Sequence, residues 1–410
     1  MVASSAKINI HLQDAGNGTT VSLSGIADIS SKQGGNVKYS FSDSIPKVFK
    51  SQWSTPSRNA RYTPNQLQAQ NSVDITYIEG DAKNRYPQRV LFGDMASVNQ
   101  DMTMPLVQAS GVEGKANSSL SAFMAAYEPA QGITDTIVIM MHQDPDAPGV
   151  LEAYRNSLSG THTFKRNGVK YTATINPDHV YLLPESWTGY FHAVGNGEVP
   201  YRSSGEQFVV DMGGGTSQTI LLSQGAQIDK ISTYNGSVLR LAHIISESCS
   251  EMALDRLRLL TYLKRDLRSG TFIYGEKDSH TAFNFTEFVK PALHKWVSEW
   301  NQNLNRLTQD RGYTTPYEYI FLGGGSFFIT EPLFSLKNRE ENVSIMDLYN
   351  ERMTAKSKVE LTYTPWVRSK SPTQANVLGA MHLLIGDGDW FPETVETPSG
   401  IRLPFFATID

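Results

Sequence analysis

A doubled α/β fold, with a mixed sheet in each half, is predicted by three glycine-centred segments of this sequence. INIHLQDAGNGTTVSLSG (8–25) and QFVVDMGGGTSQTILLSQG (207–225) share one design: an apolar run, then D-x-G-x-G-T-[ST], then alternating residues that end in Gly25 or Gly225. EYIFLGGGSFFITEPLF (318–334) sets a third glycine cluster after the apolar run 319–322. Each of the first two reads as a strand, a tight turn and a returning strand, because glycine serves where the chain must reverse. Glycine alone says little, since any short hairpin loop can use it. Asp14 and Asp211 are the unusual feature. Each sits where a strand meets the turn, beside backbone N–H groups that no bulky side chain screens. Two matching patterns flanked by strand signals point to two related halves. Facing one another across a cleft, the two hairpins would clamp a phosphate chain and its metal.

Composition bounds the remaining possibilities. At 410 residues the chain is long enough for two or more substantial cores. A formal net charge of -5 argues against nucleic-acid binding over much of the surface, which requires a basic face. The single cysteine, Cys249, cannot form an internal disulfide and reads as buried filler in a reducing cytoplasm. MVASSAKINIHLQD lacks the apolar centre of a signal peptide, and no run approaches the ~18 apolar residues of a transmembrane segment. A soluble, cytoplasmic protein is expected.

The other segments are read in chain order. HVYLLPESWTGYFHAVGNG (179–197) predicts a buried strand over 180–183, then a helix with Pro184 in its first turn, ending near Gly195. Glu185 then lies at a helix N-terminus, where the dipole favours an anion. Three glycines after the 319–322 strand would let a flat ring lie against the backbone. The cluster is not a dinucleotide fingerprint, because Phe328 stands where the third glycine of G-x-G-x-x-G belongs. No G-x-x-x-x-G-K-[ST] loop occurs, which excludes P-loop chemistry.

Together these residues resemble the actin-like ATPase superfamily, which also holds the Hsp70 chaperones and sugar kinases. DAGNGTT resembles its first phosphate hairpin, DMGGGTS its second, PESWTGYF its first connecting helix and LGGGS its adenosine motif. QANVLGAMHLL (374–384) is similar to its second connecting helix, whose small residues let two helices cross closely. Within the superfamily the sequence is most similar to the prokaryotic ParM/StbA group of filament-forming plasmid-segregation proteins. PES before Gly189 and Tyr190, and ISTYNGSVLRLAHII (231–245), carry that likeness. One departure stands out. The first phosphate hairpin of actin has a lysine soon after its aspartate, whereas here Ala-Gly-Asn-Gly-Thr-Thr-Val follows Asp14.

The resemblance implies ATP or ADP with Mg²⁺ as ligands. Asp14 and Asp211 would hold the ion through water, because Mg²⁺ dehydrates reluctantly. Gly16, Asn17, Gly18, Thr19 and Thr20 of one hairpin, and Gly213, Gly214, Gly215 and Thr216 of the other, would line the phosphates. Gly323, Gly324, Gly325 and Ser326 would face the adenosine, Glu185 would orient the attacking water, and Asp211 is its catalytic partner. The implied organisation is an actin-like domain I over 1–205 with an outer insertion at about 42–133, completed by a C-terminal helix within 374–410. Domain II would run over 206–373 with an outer part at about 246–310. The implied function is an ATPase filament that moves plasmid DNA through a small DNA-binding adaptor. Alternatives are a cell-shape cytoskeleton, a small-molecule kinase, or a chaperone-like ATPase. The expected partners are other copies of the chain and the adaptor, with no direct nucleic-acid binding.

Several residues take plain readings. His142, Asp144 and Asp146 fall in a proline-bounded turn, and Asp94 in LFGDMA reads as a solvated turn aspartate that a kinase would use as base. The stretch 47–62, with Lys47, Lys50, Arg58 and Arg61, reads as a solvated basic face. Residues 287–307 space Val289, Leu293, Trp296, Val297, Trp300 and Leu304 by threes and fours, which predicts a helix facing the core. The apolar tail residues Leu403 to Phe406 are expected to dock on their own domain.

Overall fold

The computed structural model describes residues 5–16, 18–30, 37–41, 45–57, 60–82, 86–98, 104–105, 112–200, 206–223, 225–233, 235–267, 269–277, 279–309, 318–330 and 366–386. Asn17, Arg58 and the tail 398–410 lie outside them. The chain divides into two compact units, Met1–Gly197 with Thr373–Asp410, and Glu198–Pro372.

The first unit opens with β1 (Ser5–Ala15) and β2 (Thr19–Ser30), followed by β3 (Val37–Ser40), β4 (Lys47–Lys50) and β5 (Gln52–Ser54). Next come α1 (Pro64–Ala69), β6 (Ser72–Gly80), β7 (Arg89–Gly93), β8 (Met104–Pro105) and α2 (Val112–Ala126). β9 (Thr136–His142), α3 (Val150–Leu158), β10 (Gly160–Arg166), β11 (Val169–Ile175), β12 (Val180–Pro184) and α4 (Trp187–Gly195) complete this stretch. One sheet has the order β12-β9-β1-β2-β3, with β4 also on β2. β9 reads TIVIMMH and is buried along its whole length, as expected of a parallel strand covered on both faces. A second sheet has the order β11-β10-β6-β7-β5-β8. It takes β10 and β11 from beyond residue 133, while β4 joins the first sheet, so the outer layer is not the 42–133 segment alone. Hydrogen bonds between non-adjacent strands, which composition cannot display, decide this.

The second unit contains β13 (Glu206–Met212), β14 (Ser217–Ser223), β15 (Ala226–Thr233), α5 (Val238–Ser248) and α6 (Arg256–Asp266). A short pair, β16 (Ile273–Tyr274) and β17 (Phe283–Asn284), precedes α7 (Thr286–Gln309), β18 (Glu318–Leu322), α8 (Phe327–Thr330) and β19 (Trp366–Arg368). Its sheet has the order β19-β18-β13-β14-β15. Position for position this repeats the first unit's β12-β9-β1-β2-β3, with the same antiparallel hairpin beside a parallel neighbour. The echo seen in sequence is therefore an echo of topology. Val289, Leu293, Trp296, Val297 and Trp300 of α7 are all buried in one core that also holds Leu241, Ile245 and Phe321. Truncating either tryptophan would cost about 3–5 kcal/mol. Cys249 is buried in the same core, with its thiol pushed up by burial.

α9 (Ala375–Ile385) belongs to the first unit and crosses α4. A Cβ on Gly379 would lie 1.7 Å from the Thr188 carbonyl oxygen, so this approach admits only glycine. His192 and His382 stack at the same crossing, with ring centroids 5.7 Å apart. No helix among the described residues is long and apolar enough to cross a membrane.

Candidate functional site

Asp14 is paired with Val21 across the β1–β2 hairpin, and Asp211 with Gln218 across β13–β14. The turns close alike. Gly16 N–H donates to Thr19 O at 3.1 Å, and Gly213 N–H donates to Thr216 O at 3.0 Å. These two amides were expected to face phosphates, yet both close their own turns. A D-x-G-x-G-T loop must spend its first glycine amide on the hairpin. Among the described residues, no backbone bond from the Gly18, Gly214 or Gly215 amide closes a turn.

In the first unit, Asp14 lies beside Met141 of β9, and Pro184 of β12 lies beside His142. Asp14, His142 and Glu185 thus gather at the carboxyl ends of three parallel strands, the usual position for a ligand in such sheets. Pro184 is the last residue of β12 and not part of a helical turn. Its carbonyl accepts from Thr188 Oγ1 at 3.0 Å, and α4 begins only at Trp187. Glu185 occupies the turn before the Ser186 cap, with its N–H on the His142 carbonyl at 3.1 Å. The hairpin is braced from the side: Ser51 N–H donates to Gly18 O at 3.3 Å, and the Thr20 and Ser51 hydroxyls bond at 2.9 Å.

Two groups reach this site from distant parts of the chain. Asn376 of α9 donates from Nδ2 to Asp14 Oδ2 at 3.0 Å. Lys115 of α2 donates from Nζ to Glu185 Oε1 at 2.8 Å, and each side chain is only 13% exposed. Burial opposes the Lys115 charge, but Glu185, Tyr154 and Asp14 outweigh it and hold the ammonium above its ordinary range. Burial likewise opposes the Glu185 carboxylate, and Lys115 with His142 holds it below the usual carboxylate range. The Tyr154 ring meets His142 edge-on at 5.9 Å. Lys115 sits in the unremarkable VEGKANSSL (112–120), which is why sequence reasoning missed it.

In the second unit, Asp211 lies beside Leu322 of β18, and the LGGGS cluster follows directly. Gly323 has φ +75°, and a Cβ there would meet Asp211 Oδ1 at 2.4 Å. This turn therefore needs glycine both for its left-handed backbone and for the carboxylate beside it. Gly325 N–H donates to Met212 O at 2.8 Å, and Ser326 Oγ donates to Gly323 O at 2.7 Å. The first amides of α5 are used too: Val238 N–H donates to Gly213 O at 3.1 Å, and Leu239 N–H to Gly214 O at 3.0 Å. The positive end of an 11-residue helix is thereby joined to the glycine turn.

The remaining candidates have structural roles. His142 Nδ1 accepts from Asp144 N–H at 3.0 Å, within the turn. Among the described residues no group of three or more His, Cys, Asp and Glu could hold a metal ion. Asp94 pairs with Lys50 at 3.4 Å, and Lys47 pairs with Glu128, so the basic stretch is partly neutralised within its own unit.

No family model matches this chain, and no curated protein matches it by sequence. Solved structures do. A 15-stranded ParM filament from Clostridium botulinum is similar with a TM-score of 0.61 at 11% identity, over 92% of this chain and 99% of that one. An archaeal actin homologue is similar with a TM-score of 0.58 at 13% identity, again over 92% and 99%. This chain has an actin-like, ParM-type fold. ParM from Bacillus thuringiensis solved with ATP is also similar, with a TM-score of 0.50 at 15% identity over 92% and 97%. In the actin-like fold of this chain, the repeated hairpins lie in equivalent places of two equivalent sheets.

Proposed function

We propose that this actin-like chain binds and hydrolyses ATP and polymerises into filaments. The observation that carries the reading is the matched pair of hairpins, each with an aspartate two residues before the amide that closes its turn. The chemistry of the donors fits magnesium triphosphate. Two carboxylates suit an ion that keeps most of its waters, and the turns beside them are too tight for a side chain, since a Cβ would lie 2.8 Å from Thr216 O or 3.1 Å from Thr19 O. The nucleotide supplies the reactive phosphoryl group and, with its ion, most of the charge to be balanced. Asp14 and Asp211 would hold the ion through its waters, and the ion would offset charge on the phosphates. The amides of Gly18, Gly214 and Gly215, with the Thr19 and Thr216 hydroxyls, donate to phosphate oxygens. Gly323, Gly324, Gly325 and Ser326 border the adenosine. Glu185 orients the attacking water and accepts its proton on a carboxylate oxygen.

Filament formation is supported by the likeness to a ParM solved as a filament. Plasmid movement through a DNA-binding adaptor is the use we assign to it, because a chain of net charge -5 is poorly suited to bind DNA directly. A cytoplasmic location goes with that use. Light scattering and electron microscopy with AMPPNP and Mg²⁺, together with phosphate release from ATP and Mg²⁺, test the reading. Nucleotide-dependent filaments and phosphate release are expected. A protein that stays monomeric and releases no phosphate would overturn it.

A further inference from the structure

Lys115 and Glu185 make a buried ion pair that the proposed hydrolytic role of Glu185 does not by itself require. A water-orienting carboxylate could face the ligand alone. Here it is met by an ammonium from a different element, 70 residues earlier, at 2.8 Å and with both side chains largely out of water. Removing two such charges from solvent is unfavourable unless the geometry is good. The first hairpin carries no lysine from Asp14 to Val21, while Asp14 stabilises the charge on Lys115. The groups facing Glu185 are Lys115 from α2, His142 at the end of β9 and Tyr154 from α3, and Asp14 acts electrostatically on the ammonium. The bond from Lys115 uses Oε1, which leaves Oε2 as the oxygen that can take a proton from water.

We propose that Lys115 is a positioning residue for ATP hydrolysis: its ammonium fixes Glu185 through Oε1 and keeps the carboxylate ionised and aimed. It acts through Glu185 and not as a ligand of the nucleotide. This rests on the ATPase reading above. An unpaired buried carboxylate holds its proton to higher pH, by about one to three pH units for the loss of one close opposite charge. The acid limb of turnover against pH must therefore move upward when Lys115 is neutralised.

The test uses the full chain with Lys115→Met, Lys115→Arg, Glu185→Gln and the Lys115→Met/Glu185→Gln pair. AMPPNP affinity is measured by calorimetry beside ATP turnover from pH 5 to 9. For Lys115→Met the expected result is turnover lower by about tenfold or more, an acid limb raised by about one unit or more, and AMPPNP affinity within about threefold of the parent. Lys115→Arg should restore most of the rate. In the Glu185→Gln background, adding Lys115→Met should change turnover less than about twofold. An unmoved acid limb, or an equal loss in both backgrounds, overturns the role of Lys115 while leaving the ATPase reading intact. Should Lys115→Met not fold, Lys115→Gln, which also removes the charge, takes its place in both backgrounds and decides by the same two criteria. A parent chain that neither binds AMPPNP nor hydrolyses ATP overturns both readings.

Discussion

The two glycine hairpins share their backbone and differ in what surrounds it. In each, the aspartate pairs with the residue seven positions later, and the amide two residues on closes the turn. Around Asp14 the support comes from side chains: the Asn376 amide, the Ser51 hydroxyl on Thr20, and the Lys115–Glu185 pair near by. Around Asp211 the backbone contributes as well: the first amides of α5 on Gly213 and Gly214, and a left-handed glycine pressed against the carboxylate. One hairpin has a buried charge pair near by, the other a helix dipole. A duplicated fold can thus keep one geometry and supply its electrostatics in two ways.

Substitutions can break the comparison. Removing the second carboxylate should have the largest effect: Asp211→Ala is expected to lower ATP turnover by about 10³-fold or more, roughly 4 kcal/mol of transition-state stabilisation. Phosphate release at the parent rate would remove Asp211 from the site.

Acid should separate the units next. Burial pushes the His11 imidazole down to about 4, and burial together with His382 does the same to His192, both in the first unit. The unfolded chain takes up these protons as pH falls through about 6.5, whereas the folded chain does so only near 4. Stability from these groups is therefore complete above about pH 7 and is lost on going down to 4, by up to about 3 kcal/mol per ring. Hydrogen exchange at pH 7.5 and 5, read separately over β1 and β13, should show the greater loss of protection in β1. Equal loss in both strands would refute the assignment.

The smallest effects concern single glycines. Gly323→Ala forces a Cβ into a left-handed turn beside Asp211 and should lower stability by about 1–3 kcal/mol in urea unfolding. Gly18→Ala has nothing within 4 Å of the new Cβ and should stay within about 0.5 kcal/mol of the parent. If the two variants unfold at the same midpoint, the contrast between the turns fails.

Much of the fold was legible because its signals are local. The spacing from aspartate to the second threonine or serine matches one tight hairpin, and the apolar period of residues 287–307 matches one buried helix face. The boundary at Pro184 was misread because proline is equally at home at the end of a strand, and only the pairing with His142 distinguishes the cases. The reach of the outer sheet beyond residues 42–133 has no local signal, because β10 pairs with β6 across about eighty residues.

By itself the sequence determined the two carboxylates and their glycine turns, since a strand ending in D-x-G-x-G-T can satisfy its backbone in few ways. Tertiary structure alone decided which charges surround them. Asn376 reaches Asp14 from 362 residues away, and Lys115 reaches Glu185 from 70. Neither contact leaves a local pattern, because a buried polar group needs a partner near in space, wherever that partner falls in the chain.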